Sequence, residues 1–189
     1  MHGPYAQSWV DEWHRTRVSE HSYYCSDFKF KKGLVSEKES SVYNLHVADK
    51  MWLNKSFKNT ILQKIARCEM DSKRYVYSDL GFILLQQVVE SIVKLPMDLY
   101  LAKEFYAPMG LQRTMYLPLQ KYSKEEIMPT AANDFLRRQD LCGYVHDEAA
   151  ACMGGISGNA GLFSTASEVA KIYQMISVSY THLRAHETL

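Results

Sequence analysis

Tyr77 and Asp79 are the residues of this sequence whose types and spacing best suit acid–base chemistry. They stand in the tripeptide Tyr77-Ser78-Asp79, directly before a long apolar segment. A phenol with a pKa of about 10 is a poor base in water, so Tyr77 needs a neighbouring cation to favour its phenolate. A helix beginning here would hold the hydroxyl on a rigid support facing a cleft. The alternative is that Tyr77 is a packed aromatic ring and that Ser78 or Asp79 is a helix N-cap.

A nucleophilic serine with an adjacent amine is commonly written Ser-x-x-Lys at the start of a helix. The pattern occurs here as Ser26–Lys29 and Ser91–Lys94. Chance alone gives about one match in a chain of this composition, so the pattern is not specific. Ser91 falls late in a predicted helix, and Ser26 falls in an alternating, extended stretch, 23–30. We therefore predict that neither serine is the nucleophile.

The residue spacings predict neither a metal site nor a cofactor. His182 and His186 have the spacing of a helical zinc pair, but Leu183 stands where the zinc-protease pattern has glutamate. The cysteines are far apart, which favours buried thiols over a zinc site. They are Cys25, Cys68, Cys142 and Cys152.

Composition places the chain among ordinary globular domains. It has 47% hydrophobic and 23% charged residues and a net charge of +1, values that do not favour a nucleic-acid partner. The basic run 29–32 is predicted to be a solvated edge or turn. No apolar run approaches the ~18 residues of a membrane span. The first residues lack the basic and apolar regions of a signal peptide.

Helical periodicity marks the segments that must position these residues. Helices are predicted over 56–68 with Ser56 as N-cap, 78–94, 96–106, 147–153, and 165–176 with a Thr165/Glu168 capping box. The helix over 78–94 is apolar on most sides, which is typical of a central helix. Residues 1–50 and 121–143 are predicted to be mainly loops, the first with short pieces of structure and the second with one helical turn.

Three stretches, taken in order, resemble the class C β-lactamase-like branch of the serine β-lactamase and DD-peptidase superfamily. They are 75–85 with Glu90, 143–150, and 154–166. The resemblance implies an α/β (α+β) fold of the β-lactamase and transpeptidase type, an antiparallel sheet with helices on both faces and a helical subdomain. This chain would form mainly the helical part.

The resemblance also implies roles for individual residues. Tyr77 takes the place of a proton-shuttling tyrosine. Asp79 stands where the family commonly has asparagine, and an ionised carboxylate can only accept hydrogen bonds, whereas an amide can donate one. His146, Asp147 and Glu148 would line the cleft; the alternative is a capped helix start at which His146 bonds locally.

Two elements of the family are missing from this sequence, the nucleophile and the late Lys/His-x-Gly motif. Lys31-Lys32-Gly33 precedes Tyr77, the wrong order, and Asn159-Ala160-Gly161 lies in an earlier turn. We therefore expect residues 1–178 to be an internal piece of the domain, inactive by itself, and residues 179–189 to be a non-native, adapter-derived tail.

The resemblance implies a parent protein that is a serine hydrolase forming an acyl-enzyme. Its substrate would be a β-lactam, a D-Ala peptide of peptidoglycan or an ester. Its location would be periplasmic or otherwise extracytoplasmic. Some members of the branch are fused to a glycoside hydrolase domain, and the resemblance is compatible with such a fusion here. The alternative is a non-catalytic binding or scaffold module that kept the fold, a view that Asp79 favours.

Overall fold

The computed structural model describes residues 29–67 and 77–187, with side chains described as far as residue 178. Cys25, Ser26 and Cys68 lie outside the described residues, as do the side chains of His182 and His186. The strands are β1 (Val35–Ser36), β2 (Tyr43–Ala48), β3 (Met51–Asn54), β4 (Pro129–Asp134) and β5 (Gln139–Cys142). The α-helices are α1 (Phe57–Ala66), α2 (Leu80–Val93), α3 (Met97–Leu101), α4 (Glu148–Cys152) and α5 (Ala166–Glu187). A π-helical segment, Ala102–Tyr106, extends α3.

Strands β1 to β3 form an antiparallel sheet in the order β1-β3-β2. Leu53 of β3 pairs with Val35 on one side and with Leu45 on the other. In the described part of residues 1–50, the predicted short pieces of structure are thus β1 and β2, while their pairing with β3 in a sheet was not predicted. The strands are short and β2 has register shifts, so the alternation that marks a strand in sequence is interrupted.

Part of the loop predicted over 121–143 is a second antiparallel pair, β4 and β5. The one helical turn predicted in this segment is present as a 3-10 turn, Lys124–Glu126. The strand sequences, Pro-Thr-Ala-Ala-Asn-Asp and Gln-Asp-Leu-Cys, are poor in β-branched and aromatic residues, so their strand propensity is low. The turn between them contains a buried ion pair of Asp134 with Arg137. Tertiary contacts, rather than local preference, select the strand conformation here.

The core lies where the three-stranded sheet meets α1 and α4. Phe57, Ile61 and Ile65 of α1 are buried, which confirms the predicted face. Ser56 stands at the N-cap position, although its side chain does not cap the helix. All four residues from Ala149 to Cys152 of α4 are buried, and this short helix is stopped at the predicted glycine pair, 154–155.

Helix α2 has the predicted extent, and apolar side chains lie on several of its sides. Only Ile83 and Gln86 are buried. Leu85 is 57% exposed and Ile92 73% exposed, and the face also includes Phe82, Leu84 and Val88. The apolar surface that the sequence predicts for a central helix is thus present, and among the described residues only its inner edge packs against the rest of the fold.

Helix α5 begins at the predicted point and continues beyond Ile176 to Glu187. The backbone N–H of Glu168 donates to Thr165 Oγ1 at 3.4 Å. The carboxylate of Glu168 does not complete the predicted capping box; it accepts hydrogen bonds from Gln112, Arg113 and Thr114 instead. The segment expected to be a non-native tail is helical through residue 187.

No single helix in the described ranges is long and apolar enough to cross a membrane. Within these ranges, α2 and the segment Met97–Tyr106 are together long and apolar enough for a membrane span, but their axes are bent by 70° relative to each other.

Candidate functional site

The Tyr77 side chain projects from the chain directly before α2. It is 67% exposed, and its ring centroid lies 6.4 Å from that of Phe82 in the first turn of the helix. The Tyr77 ring is therefore not packed in the core, which was the alternative prediction for this residue. The hydroxyl is therefore open to the surroundings while its backbone adjoins a regular helix.

Ser78 and Asp79 immediately precede α2, and Asp79 stands at its N-cap position. The carbonyl of Asp79 accepts from the backbone N–H groups of Phe82 and Ile83, both at 3.1 Å, and Ser78 Oγ accepts from Leu80 N–H at 3.3 Å. The Asp79 side chain makes no capping hydrogen bond, so its carboxylate is not used in holding the helix end.

Gln86, on the buried edge of α2, joins this helix to the glycine-rich turn 154–161. Its Oε1 accepts from Gly158 N–H at 3.1 Å. Its Nε2 donates to the Ile156 carbonyl at 3.3 Å and to Glu90 Oε1 at 3.1 Å. The first and third motif stretches are thus held together by one amide.

Gly158 allows the turn to approach α2 more closely than any other residue could. A Cβ at this position would lie 2.2 Å from the carbonyl oxygen of Phe82 and 3.3 Å from Gln86 Cβ. Since the obstructing atom is helix backbone, it cannot move aside. The glycine is therefore required by packing.

Asn159 connects the glycine-rich turn to the second motif stretch. Its Nδ2 donates to Asp147 Oδ1 at 3.1 Å, and its Oδ1 accepts from Ser157 Oγ at 2.6 Å. Asp147 Oδ1 also accepts from Ala150 N–H at 2.7 Å and so caps α4. All three motif stretches thus form one hydrogen-bonded assembly.

Arg137 holds the backbone leading into α4. Its side chain is fully buried against Asp134, with Nε 3.0 Å from Oδ1. Its Nη1 donates to the Val145 carbonyl at 2.7 Å, and Nη2 donates to the His146 carbonyl. A buried guanidinium needs such acceptors because its charge is otherwise unpaired.

The His146 ring lies at the surface, with its side chain 66% exposed, and its Nε2 is 3.8 Å from Asp134 Oδ2. This distance is too long for a hydrogen bond, so the ring lies near Asp134 of the buried ion pair without bonding to it. The backbone of His146 is fixed by Arg137 while its ring remains available. None of the contacts described here joins His146 to Tyr77 directly.

Glu148 belongs to the stretch 146–148 that the resemblance places along the cleft, but its residue type gave no sign of a shifted pKa. Burial raises the pKa of its carboxyl to about 7; the nearby charge of Arg137 opposes this rise, and Asp134 and Asp147 add to it. A carboxyl in this state exchanges its proton near neutral pH. No signal in the sequence could have found this shift, because the burial of the carboxyl depends on the fold.

A second polar cluster joins the three-stranded sheet to the second motif stretch. Tyr144 Oη lies 3.0 Å from His46 Nε2 and 3.0 Å from Asp49 Oδ1. Asp49 also pairs with Lys124, and His46 stacks on Trp52 with ring centroids 4.4 Å apart. Burial and the bond to Asp49 raise the pKa of Tyr144 far above its ordinary value, so this phenol is a hydrogen-bond donor rather than a base.

The remaining candidates from the sequence stay apart from this assembly. Ser91 Oγ donates to the Val88 carbonyl of its own helix at 2.7 Å, which is a structural contact. Lys32 and Gly33 lie in the turn before β1. In the described part of the chain, no group of three or more His, Cys, Asp or Glu residues is placed to hold a metal ion.

Comparison with known proteins matches a family model described as Beta-lactamase to residues 39–188. Curated relatives named "Putative D-alanyl-D-alanine carboxypeptidase" include proteins of Salmonella agona, 32% identical, and Salmonella schwarzengrund, 33% identical, each over 148 residues. These matches cover 70% of this chain but 34% of each relative, so the chain spans about a third of the length of the relatives it matches. No solved structure gives a significant match.

Proposed function

The chain belongs to the beta-lactamase family, and from that premise we propose that it supplies the tyrosine-bearing part of a serine acyl-transfer site. The observation that carries the proposal is Tyr77, an exposed phenol placed directly before a helix whose inner edge is tied to the glycine-rich turn. A rigid helix next to Tyr77 favours a fixed orientation of its hydroxyl, as catalysis with a reacting serine requires.

The reaction we propose is hydrolysis through an acyl-enzyme. A serine outside the described residues attacks the substrate carbonyl, and Tyr77 accepts the proton from its hydroxyl. The same proton passes to the leaving amine or alcohol as the bond to it breaks. Water then attacks the acyl-enzyme, and the serine is released. A lysine beside the serine would favour the phenolate by its charge.

The substrate class we propose is a D-alanyl-D-alanine peptide, with β-lactams and simple esters as the wider set. The names of the Salmonella relatives support the peptide. Such a substrate occurs in peptidoglycan, which favours an extracytoplasmic location. Asp79 would lie near the substrate as an acceptor and so favours a group bearing an N–H or O–H.

A chimera tests the proposal. The segment of the Salmonella agona protein that matches this chain is replaced by the chain's own residues, and the unmodified relative is the positive control. We expect D-alanine release from a D-Ala-D-Ala peptide and covalent labelling by a fluorescent penicillin. A folded chimera that is neither active nor labelled, beside an active relative, would instead support a non-catalytic module.

The chain by itself is the matched negative control. We expect it to hydrolyse neither chromogenic β-lactams nor p-nitrophenyl esters, because no described serine is placed as a nucleophile. Penicillin labelling of the chain alone, mapped to Ser26 by mass spectrometry, would show that it carries its own nucleophile.

A further inference from the structure

A second concave site lies apart from Tyr77, between the segment 113–130 and the start of α5. Its volume is about 530 Å³, within the range of small-molecule pockets. Its walls include Pro118, Ile127, Met128, Leu162 and Phe163. Tyr77, Asp79 and His146 do not line it, so the proposed acyl-transfer chemistry does not account for it.

The walls of this pocket are held by backbone contacts. Met115 and Phe163 exchange two backbone hydrogen bonds of 2.9 Å, which fix one wall against the other. The buried carboxylate of Glu168 accepts from the N–H groups of Gln112 and Arg113 at 2.9 to 3.1 Å and from Thr114 Oγ1. The backbone carrying Arg113 is therefore rigidly mounted at the pocket.

Arg113 supplies the charge of the pocket. Its guanidinium lies 5.0 Å from the centre of the Tyr122 ring, a distance at which a cation is attracted to the ring face. Glu126 Oε1 is 3.8 Å away, too far for a hydrogen bond. Among the described residues the guanidinium donates no hydrogen bond, so its planar fork of donors is unused.

The structure assigns to this pocket a small ligand with a carboxylate on an apolar or aromatic body. An arginine fork matches a carboxylate in a bidentate geometry, and the apolar walls match the body. Lys121 adds positive charge beside Tyr122, although its Nζ already donates to the Gln112 carbonyl at 3.1 Å. Among the lining residues the charge of Glu126 balances that of Arg113. The nearby carboxylate of Glu168 is already bound by the backbone N–H groups of Gln112 and Arg113, so the guanidinium is the group of the pocket that can still donate to a ligand.

Fluorescence titration of the full chain with dansylglycine tests this site, with dansylamide as the probe that lacks the carboxylate. We expect saturable binding of dansylglycine and at least tenfold weaker binding of dansylamide. Arg113→Met should weaken dansylglycine at least tenfold and remove the preference between the probes, whereas Arg113→Lys should keep part of it. Arg67→Met, the same change at the exposed residue that follows α1, should alter neither value.

Wall variants separate this pocket from adsorption elsewhere. Leu162→Asp places a negative charge at the exposed rim and should weaken dansylglycine, whereas Leu85→Asp on the open face of α2 should not. Circular dichroism verifies that each variant is folded. Equal affinity for the two probes, unchanged binding by Arg113→Met, or no saturable binding to the folded chain would each overturn the assignment. Loss of binding in Tyr77→Phe would also overturn it, since that residue is outside the pocket.

Discussion

The side-chain oxygen of Gln86 accepts a hydrogen bond from the backbone N–H of Gly158 at 3.1 Å, joining α2 to a turn 72 residues further along the chain. Because Tyr77 directly precedes α2, this contact also limits where its hydroxyl can lie relative to the other motif stretches. The geometry of the candidate site thus depends on an amide outside the family motifs.

Replacing Gln86 with leucine should lower the free energy of unfolding by about 1–3 kcal/mol, because the partly buried N–H of Gly158 would lose its hydrogen-bond partner. Gln87→Leu is the matched control. The Nε2 of Gln87 is buried without a hydrogen-bond partner among the described residues, so its removal should leave stability unchanged or raise it. Urea unfolding measures the free energy of unfolding of both variants. An equal loss of stability in the two would show that the hydrogen bonds of Gln86 do not stabilise the fold.

Gly158→Ala should destabilise the protein by about 2–3 kcal/mol through overpacking, since the added Cβ would meet the Phe82 carbonyl at 2.2 Å. Gly81→Ala, within α2, meets no atom within 4 Å and should stabilise by about 0.4–1 kcal/mol. Thermal melts of the two variants test the pair. A neutral Gly158→Ala would mean that the turn does not pack on the helix as described.

Glu148 should make stability depend on pH. Burial raises the pKa of its carboxyl to about 7 in the folded state from an ordinary value of 4.5. Between these values the folded state binds more protons than the unfolded state, so stability falls as pH rises through this window. Below pH 4.5 the contribution of Glu148 is fully present, and above pH 7 it is lost.

Glu148→Gln removes this dependence. The stability of the variant relative to the natural chain should therefore rise from pH 4.5 to pH 8, by on the order of 2 kcal/mol. Denaturant unfolding at both pH values measures the difference, and Glu37→Gln, at an exposed position, is the control. A relative stability that does not vary with pH would show that Glu148 titrates normally.

The open face of α2 should limit the chain in isolation. We expect low stability and strong binding of a hydrophobic dye, because Leu85 and Ile92 present apolar surface to water. Changing both to lysine should reduce dye binding without lowering the free energy of unfolding. Ile83→Gln, at a buried position of the same helix, should cost about 2–5 kcal/mol. A large loss from the lysine pair would mean that this face is covered.

Tyr77→Phe in the active chimera should lower kcat/KM by about 10²–10⁴-fold, the usual contribution of general acid–base catalysis. The ring is mostly exposed, so the melting temperature should not change. Near-normal turnover in the folded variant would remove Tyr77 from the mechanism.

Asp79→Asn in the same chimera examines substrate contact instead of proton transfer. It restores the amide common in the family and keeps the helix start, which uses the backbone carbonyl of Asp79. We expect a change in the ratio of kcat/KM values for peptide and ester substrates, with stability unchanged. An unaltered ratio would place the Asp79 side chain outside the substrate site.

The sequence by itself determined the helices and, except for the end of α5, their ends, because those signals are local. The spacing of Phe57, Ile61 and Ile65 marked the buried face of α1, and Asp147 lies just before α4, where its side chain caps the helix as the alternative for 146–148 predicted. The motif order also marked the family, since it depends on residue types and not on contacts.

Only the tertiary structure decided the sheets and the contacts that join the motifs. His46 and Tyr144 are 98 residues apart, and the pairing of β4 with β5 overrides low strand propensity. The pKa of Glu148 depends on the atoms that exclude water from it. Such features depend on which distant surfaces meet, a property that no local pattern of residues contains.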